Sequence, residues 1–215
     1  YFKTFGCRTN IYDTELLKIY VKNYEIVNDD NIADIIVVNS CTVTNGADSG
    51  VRNYINSMRN SGKKVILTGC GAVSKGDELF KSSAIFGVLG ASNKSKIDEM
   101  LGKSEPFYEL GDLNFIDKNI VSNYENHTKA FIKIQEGCDF ACSYCIIPSV
   151  RGFSRSIDED IILKEAKILA SNGYSEIVLT GTNIGSYGKG VGTSLGRLVA
   201  HLGKINGIKR IRLGS

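Results

Sequence analysis

Short β-branched runs alternate with amphipathic stretches along most of this chain, and that alternation leaves few folds open. In the first hundred residues the runs fall at Tyr1–Phe5, Tyr24–Val27, Ile35–Asn39, Val65–Thr68 and Ile85–Leu89. Helical patterns separate them at Asp13–Lys22, Asp48–Arg59, Ser74–Lys81 and Asn93–Leu101. Within the first of these, Leu16, Leu17, Tyr20 and Val21 recur at helical spacing. Strands taken in turn with helices predict a parallel sheet covered on both faces. The fold class read from the pattern is α/β, with a small doubly wound, flavodoxin-like N-terminal domain over residues 1–102.

Residues 103–129 break the rhythm with Pro106, Gly111, Asn114, Asp117 and Asn123 among isolated aromatics. They read as a linker with room for a short strand pair. The alternation resumes over residues 130–215. Strands are expected at Ala130–Ile134, Glu176–Thr180 and Ile208–Leu213, with helices at Asp158–Ser171 and around Leu195–Leu202. Ser156, Asp158 and Glu159 mark the start of the first of these helices. Each strand would point its C-terminal end at one rim, as in a (β/α) barrel. Three such strands make the first part of a barrel. The chain starts inside an apparent strand without Met and stops just after another, which suggests the N-terminal portion of a longer protein.

A length of 215 residues suits one large domain or two small ones. The net charge of +3 permits an anionic partner without demanding one. No apolar run approaches the roughly 20 residues that span a membrane, and the N-terminus lacks the pattern of a signal peptide. A cytoplasmic location with no membrane association is the expectation. There, six cysteines point to metal or catalysis before disulfides.

Those cysteines form two groups. Cys138, Cys142 and Cys145 lie within eight residues, in the spacing C-x3-C-x2-C. Three thiolates suit an iron–sulfur cluster but leave one iron of a 4Fe–4S cube without a cysteine, free to take a small molecule. Cys7, Cys41 and Cys70 are far apart in sequence, yet each follows an expected strand. Loops after neighbouring parallel strands open on one edge, where ligands bind in such sheets. Gly6 and Gly69 precede two of them and allow tight turns. A second cluster with three protein ligands is the inference. Taken singly, a cysteine after a strand is more often a small buried apolar residue. Zinc competes, but a structural zinc site takes four ligands, and His127 and His201 sit at no matching spacing. Cys142-x-x-Cys145 has the spacing of a disulfide oxidoreductase, but with a third cysteine alongside.

The Cys138–Cys145 spacing resembles the signature of radical S-adenosylmethionine (SAM) enzymes. The resemblance extends over the chain and is specific to the methylthiotransferases. Gly6-Cys7-Arg8-Thr9-Asn10 resembles that family's first cysteine segment. Val38-Asn39-Ser40-Cys41-Thr42-Val43-Thr44, with Ala47-Asp48 close behind, resembles the second, and Leu67-Thr68-Gly69-Cys70 the third. Phe131-Ile132-Lys133-Ile134-Gln135-Glu136-Gly137 leads into the radical SAM loop, and Ile146-Ile147-Pro148, Arg151-Gly152 and Ser154-Arg155-Ser156 follow it.

The resemblance implies two 4Fe–4S clusters. Cys138, Cys142 and Cys145 would hold the one that cleaves SAM to a 5′-deoxyadenosyl radical, drawing on a low-potential electron donor. Cys7, Cys41 and Cys70 would hold an auxiliary cluster that carries the inserted sulfur, whose donor is unknown. Tyr144 would lie against the adenine of SAM, and Gly181, Thr182 and Asn183 would contact SAM after the second barrel strand. Either set also reads as ordinary loop residues. Asn39-Ser40-Cys41-Thr42-Val43-Thr44 and Leu179-Thr180-Gly181-Thr182-Asn183-Ile184-Gly185-Ser186-Tyr187-Gly188 resemble the branch that modifies N6-threonylcarbamoyladenosine in tRNA. Branches acting on isopentenyladenosine in tRNA and on an aspartate of ribosomal protein S12 are the alternatives. Arg151, Arg155, Lys63, Lys64, Lys209 and Arg210 are candidate phosphate contacts for tRNA, or solvated surface charges. An iron–sulfur electron-transfer or sensing module, or a zinc module, stands as the rival from another class.

Overall fold

A computed structural model describes residues 1–41, 45–125 and 127–214, without the side chains of residues 45–48. Thr42, Val43 and Thr44 of the second cysteine segment therefore lie outside the described residues, as do the side chains of Ala47 and Asp48. The chain divides into two compact units, Tyr1–Phe115 and Ile116–Ser215.

The first unit is built on a parallel sheet of β1 (Phe2–Thr4), β2 (Ile35–Ser40), β3 (Lys64–Gly69), β4 (Gly87–Leu89) and β5 (Phe107–Glu109), in that spatial order. Its helices are α1 (Arg8–Tyr20), α2 (Asn45–Asn60), α3 (Cys70–Ser74), α4 (Gly76–Lys81) and α5 (Ile97–Leu101). The period of two along each strand sends alternate side chains to opposite faces. Ile36, Val38, Val65, Leu67 and Val88 pack with Val51 and Ile55 of α2 and Leu79 of α4. Val37, Ile66, Leu89 and Phe107 pack with Leu17 of α1 and Ile97, Met100 and Leu101 of α5. Both faces are thus covered, as the alternation requires.

Three details depart from the sequence pattern. Tyr24–Val27 forms no strand; the chain just before it is held elsewhere, because the Asp98 carboxylate accepts from the backbone of Lys22 (2.8 Å) and Asn23 (3.0 Å). Helix α1 begins at Arg8, well before Asp13, since the Cys7 carbonyl accepts from the Asn10 amide at 2.9 Å and opens the first turn. Strand β5 lies inside the stretch read as a linker; Phe107 buries its ring against α5 and adds the strand to the sheet.

The second unit has a sheet of order β7-β6-β8-β9. Here β6 is Ala130–Glu136, β8 is Glu176–Gly181 and β9 is Arg210–Leu213, all parallel. The short β7 (Arg155–Ser156) runs antiparallel to β6 at the edge. Helix α6 (Ile147–Arg151) follows the cysteine loop, α7 (Glu159–Ser171) joins β7 to β8, and α8 (Leu195–Leu202) precedes β9. Ser194 caps α8 through its hydroxyl, which accepts from the Arg197 amide at 3.3 Å. Among the described residues no helix is long and apolar enough to cross a membrane.

Candidate cluster sites

In the first unit, polar burial is concentrated at one end of the sheet. Thr9, Asn10, Asp13, Thr14, Asn39, Ser40, Thr68 and Lys94 are all buried. They occupy the C-terminal ends of β2 and β3 or the segments beside them. Cys7, Cys41 and Cys70 come to this same edge. Ser40 pairs with Gly69 across β2 and β3, so Cys41 and Cys70 each follow one of two paired strand ends. Thr4 pairs with Asn39 across β1 and β2. A Cβ on Gly6 would fall 2.2 Å from Cys41 Cβ, which brings the Cys7 turn against Cys41.

Two buried amides secure this edge. Asn39 Nδ2 donates to the Asn10 carbonyl (2.9 Å) and Thr14 Oγ1 (3.0 Å). Asn10 Nδ2 donates to the Phe5 carbonyl at 2.9 Å, and its Oδ1 lies 3.9 Å from Cys7 Sγ. Asn39 Oδ1 is buried without a hydrogen-bond partner. Gly69 makes the crossing possible: it holds φ at +80°, and a Cβ there would meet Asn39 Oδ1 at 2.3 Å and the Ser40 carbonyl oxygen at 2.6 Å. Gly69→Ala is expected to lower the stability of this unit by at least about 1–3 kcal/mol, from strain and the clash together. Chemical denaturation would measure it, and a loss under about 0.5 kcal/mol would count against a crowded edge.

In the second unit, the cysteine loop leaves β6 through Gly137 and ends at α6. The Cys138 amide donates to the Gly152 carbonyl at 3.1 Å, and the Cys145 amide to the Cys142 carbonyl at 3.0 Å. Tyr144 projects into solvent, 90% exposed, and Phe140 and Phe153 are also exposed. The Lys189 ammonium, then the Ser154 amide, hold the Asp139 carboxyl below the usual carboxylate range. Thr182 and Asn183, the residues after β8, lie against this loop. Gly137 N–H donates to Thr182 Oγ1 at 3.2 Å, and Asn183 Nδ2 is 3.9 Å from Cys138 Sγ.

Two residues that the sequence reading quoted in the lead-in to the loop, without a role of their own, dominate its base. Gln135 is fully buried and bonds Gly137, Ser154 and Asn183. Glu136, also buried, takes Arg151 Nη1 at 2.6 Å and Lys133 Nζ at 3.1 Å, with Arg155 Nη2 at 3.9 Å. Adjacent polar residues ending an otherwise apolar strand, just ahead of Gly-Cys, were the available signal. The expectation that Arg151 and Arg155 face tRNA phosphates is corrected by this geometry: Arg151 is 4% exposed and held by Glu136, and Arg155 donates to the Arg151 carbonyl at 3.0 Å. Three of the other basic candidates also have local partners. Lys63 donates to the Asn31 and Ala33 carbonyls, Lys64 to that of Lys103, and Arg210 pairs with Glu176.

None of the six cysteines is in a disulfide. Among the described residues, no set of three or more Cys, His, Asp or Glu side chains is grouped to hold a metal ion. Thiols leaving separate strands or spread along a loop suit a cluster, which distributes its thiolates over different irons. The donor chemistry of both trios fits that requirement.

Comparison with known proteins agrees with this architecture. Residues 132–213 match the family described as the Radical SAM superfamily, and residues 1–90 match "Uncharacterized protein family UPF0004". In structure, the chain resembles a radical S-adenosylmethionine methyltransferase, TsrM from Kitasatospora setae, solved with cobalamin and a [4Fe-4S] cluster. The TM-score is 0.52 at 15% identity, over 82% of this chain and 42% of that one. The chain thus joins a segment that matches the UPF0004 model to one that matches the Radical SAM superfamily model. A "Putative methylthiotransferase" of Helicobacter pylori is 50% identical over 100% of this chain and 52% of its own length. "Threonylcarbamoyladenosine tRNA methylthiotransferase MtaB" of Aquifex aeolicus is 39% identical over 100% of this chain and 55% of its own. "tRNA-2-methylthio-N(6)-dimethylallyladenosine synthase" of Fervidobacterium nodosum is 32% identical over 97% and 50%. The chain is thus similar over its whole length to proteins named as methylthiotransferases, and it spans about half the length of the curated relatives it matches.

Proposed function

We propose that this chain is the cluster-binding portion of a tRNA methylthiotransferase that adds a methylthio group to C2 of N6-threonylcarbamoyladenosine. The observation that carries the reading is the paired arrangement of thiols. Cys41 and Cys70 follow the paired ends of β2 and β3, the turn before Cys7 lies against Cys41, and the other trio lies in the loop after β6. Cys138, Cys142 and Cys145 would hold one 4Fe–4S cluster and Cys7, Cys41 and Cys70 the second. When bound, the former supplies the electron that cleaves SAM, and a low-potential electron donor would replenish it. Thr182 and Asn183, packed on the cysteine loop, would orient SAM, and the exposed Tyr144 is free to stack on its adenine. Residues 1–115, with β5 taken in from the stretch read as a linker, would form the auxiliary-cluster domain, and 116–215 the first part of the radical SAM domain.

The choice of threonylcarbamoyladenosine is supported by Asn39-Ser40-Cys41-Thr42-Val43-Thr44 and by the likeness to the Aquifex protein of that name. The test is nucleoside mass spectrometry of tRNA from a strain lacking the gene. Loss of 2-methylthio-threonylcarbamoyladenosine, restored by the complete gene, is expected. Retention of that nucleoside with loss of the isopentenyl counterpart would reassign the substrate.

A further inference from the structure

The contacts of Gln135 reach past packing. Its Nε2 donates to the Gly137 carbonyl at 2.6 Å, to Ser154 Oγ at 3.0 Å and to the Glu136 carbonyl at 3.1 Å. Its Oε1 accepts from the Asn183 amide at 2.7 Å. One buried carboxamide therefore touches the start of the cysteine loop, the segment that follows the loop, and the residues after β8. A carboxamide is the side chain that offers donors and an acceptor on a flat group. The orientation of the amide follows from its neighbours: carbonyl oxygens on one side need a donor, and the Asn183 N–H on the other needs an acceptor.

The backbone is shaped to admit it. The β6–β8 register shifts between Lys133 and Gln135, an irregularity of the kind that re-aims a side chain. Opposite, Gly181 leaves room: a Cβ there would lie 2.6 Å from the Gln135 carbonyl oxygen and 3.1 Å from Gln135 Oε1. Gly181 thus serves the approach of β8 to Gln135.

We infer that Gln135 is a positioning residue that locks the cysteine loop to Thr182 and Asn183, fixing the distance between the cluster held by the loop and SAM held by those residues. The inference rests on the reading of Thr182 and Asn183 as SAM contacts. It predicts an uncoupling that is distinct from unfolding. Gln135→Glu keeps the acceptor for Asn183 but sets a carboxylate against the Gly137 and Glu136 carbonyl oxygens. Gln135→Met keeps the volume and removes every bond.

The experiment uses the full-length protein, prepared without oxygen, with Leu169→Ala as a core variant of lowered stability away from the loop. Iron per chain, melting temperature and the EPR signal abolished by Cys138→Ala are recorded while SAM is titrated. In both Gln135 variants the signal is expected to persist, while the SAM concentration for half-maximal spectral change rises roughly 10–100-fold, the range seen when outer partners of metal ligands are removed. Leu169→Ala should melt earlier with an unaltered SAM titration. Gln135 variants that titrate like the wild type would overturn the inference and leave the proposed function standing. So would variants whose iron falls only in step with melting temperature, as in Leu169→Ala. A wild-type signal indifferent to SAM would sink the inference and the SAM-site reading together.

Discussion

Replacing any one of Cys138, Cys142 and Cys145 with alanine is expected to cut the iron of the reconstituted full-length protein from about eight to about four per chain, four being the complement of one cubane. Cleavage of SAM should fall to background in the same variants. The loop explains the size of the effect. Cys138 Sγ lies 3.9 Å from Asn183 Nδ2. Residues 137–152 contain no histidine and no fourth cysteine to replace a lost ligand. Cys7→Ala, Cys41→Ala and Cys70→Ala should also remove about four irons but leave SAM cleavage intact. Iron analysis with quantitation of 5′-deoxyadenosine separates the outcomes. Iron unchanged by the first set would break the link between loop and cluster, and iron unchanged by the second would remove the auxiliary cluster.

Glu136→Gln is expected to be the most destabilising single change in the second unit. The carboxylate lies between Lys133, 0% exposed, and Arg151, and both face it within 3.1 Å. Burying charge is costly unless the charges compensate one another; removing one partner of such a set costs roughly 3–5 kcal/mol. For a unit of this size that corresponds to a fall in melting temperature of about 12 °C or more, at about 4 °C or more per kcal/mol. Since α6 follows Cys145 almost at once, the Arg151 bond to Glu136 also fixes the exit of the cysteine loop, and the variant should bind iron less completely. Thermal unfolding of the complete chain, followed by circular dichroism, measures the shift. A double variant, Glu136→Gln with Arg151→Met, should lose less than the sum of the two. A shift below about 4 °C for Glu136→Gln would mean that water reaches this cluster and screens it.

Much of the site can be traced to the order of residues. Cys41 and Cys70 directly follow β-branched runs, and in parallel strands that placement delivers them to one edge. Periodicity located β2, β3, β6 and β8 to within two residues at either end, because each is long enough for apolar burial to dominate. Short elements were less readable. β5 has three residues and derives its place from packing Phe107. The start of α1 depends on buried Thr9 and Asn10, which look like surface residues until the edge of the sheet covers them.

The sequence by itself determined the spacing of Cys138, Cys142 and Cys145, the strand-end positions of Cys7, Cys41 and Cys70, and the α/β class, since spacing and periodicity act along the chain over a few residues. Tertiary structure alone decided which polar groups are buried and what they hold. Arg151 reads as a surface charge until β6 brings Glu136 to it, and Gln135 reads as an ordinary strand residue until β8 sets Asn183 against its amide oxygen. The partners come from segments up to 48 residues away. Desolvation, which gives those contacts their strength, exists only once the segments have closed over them.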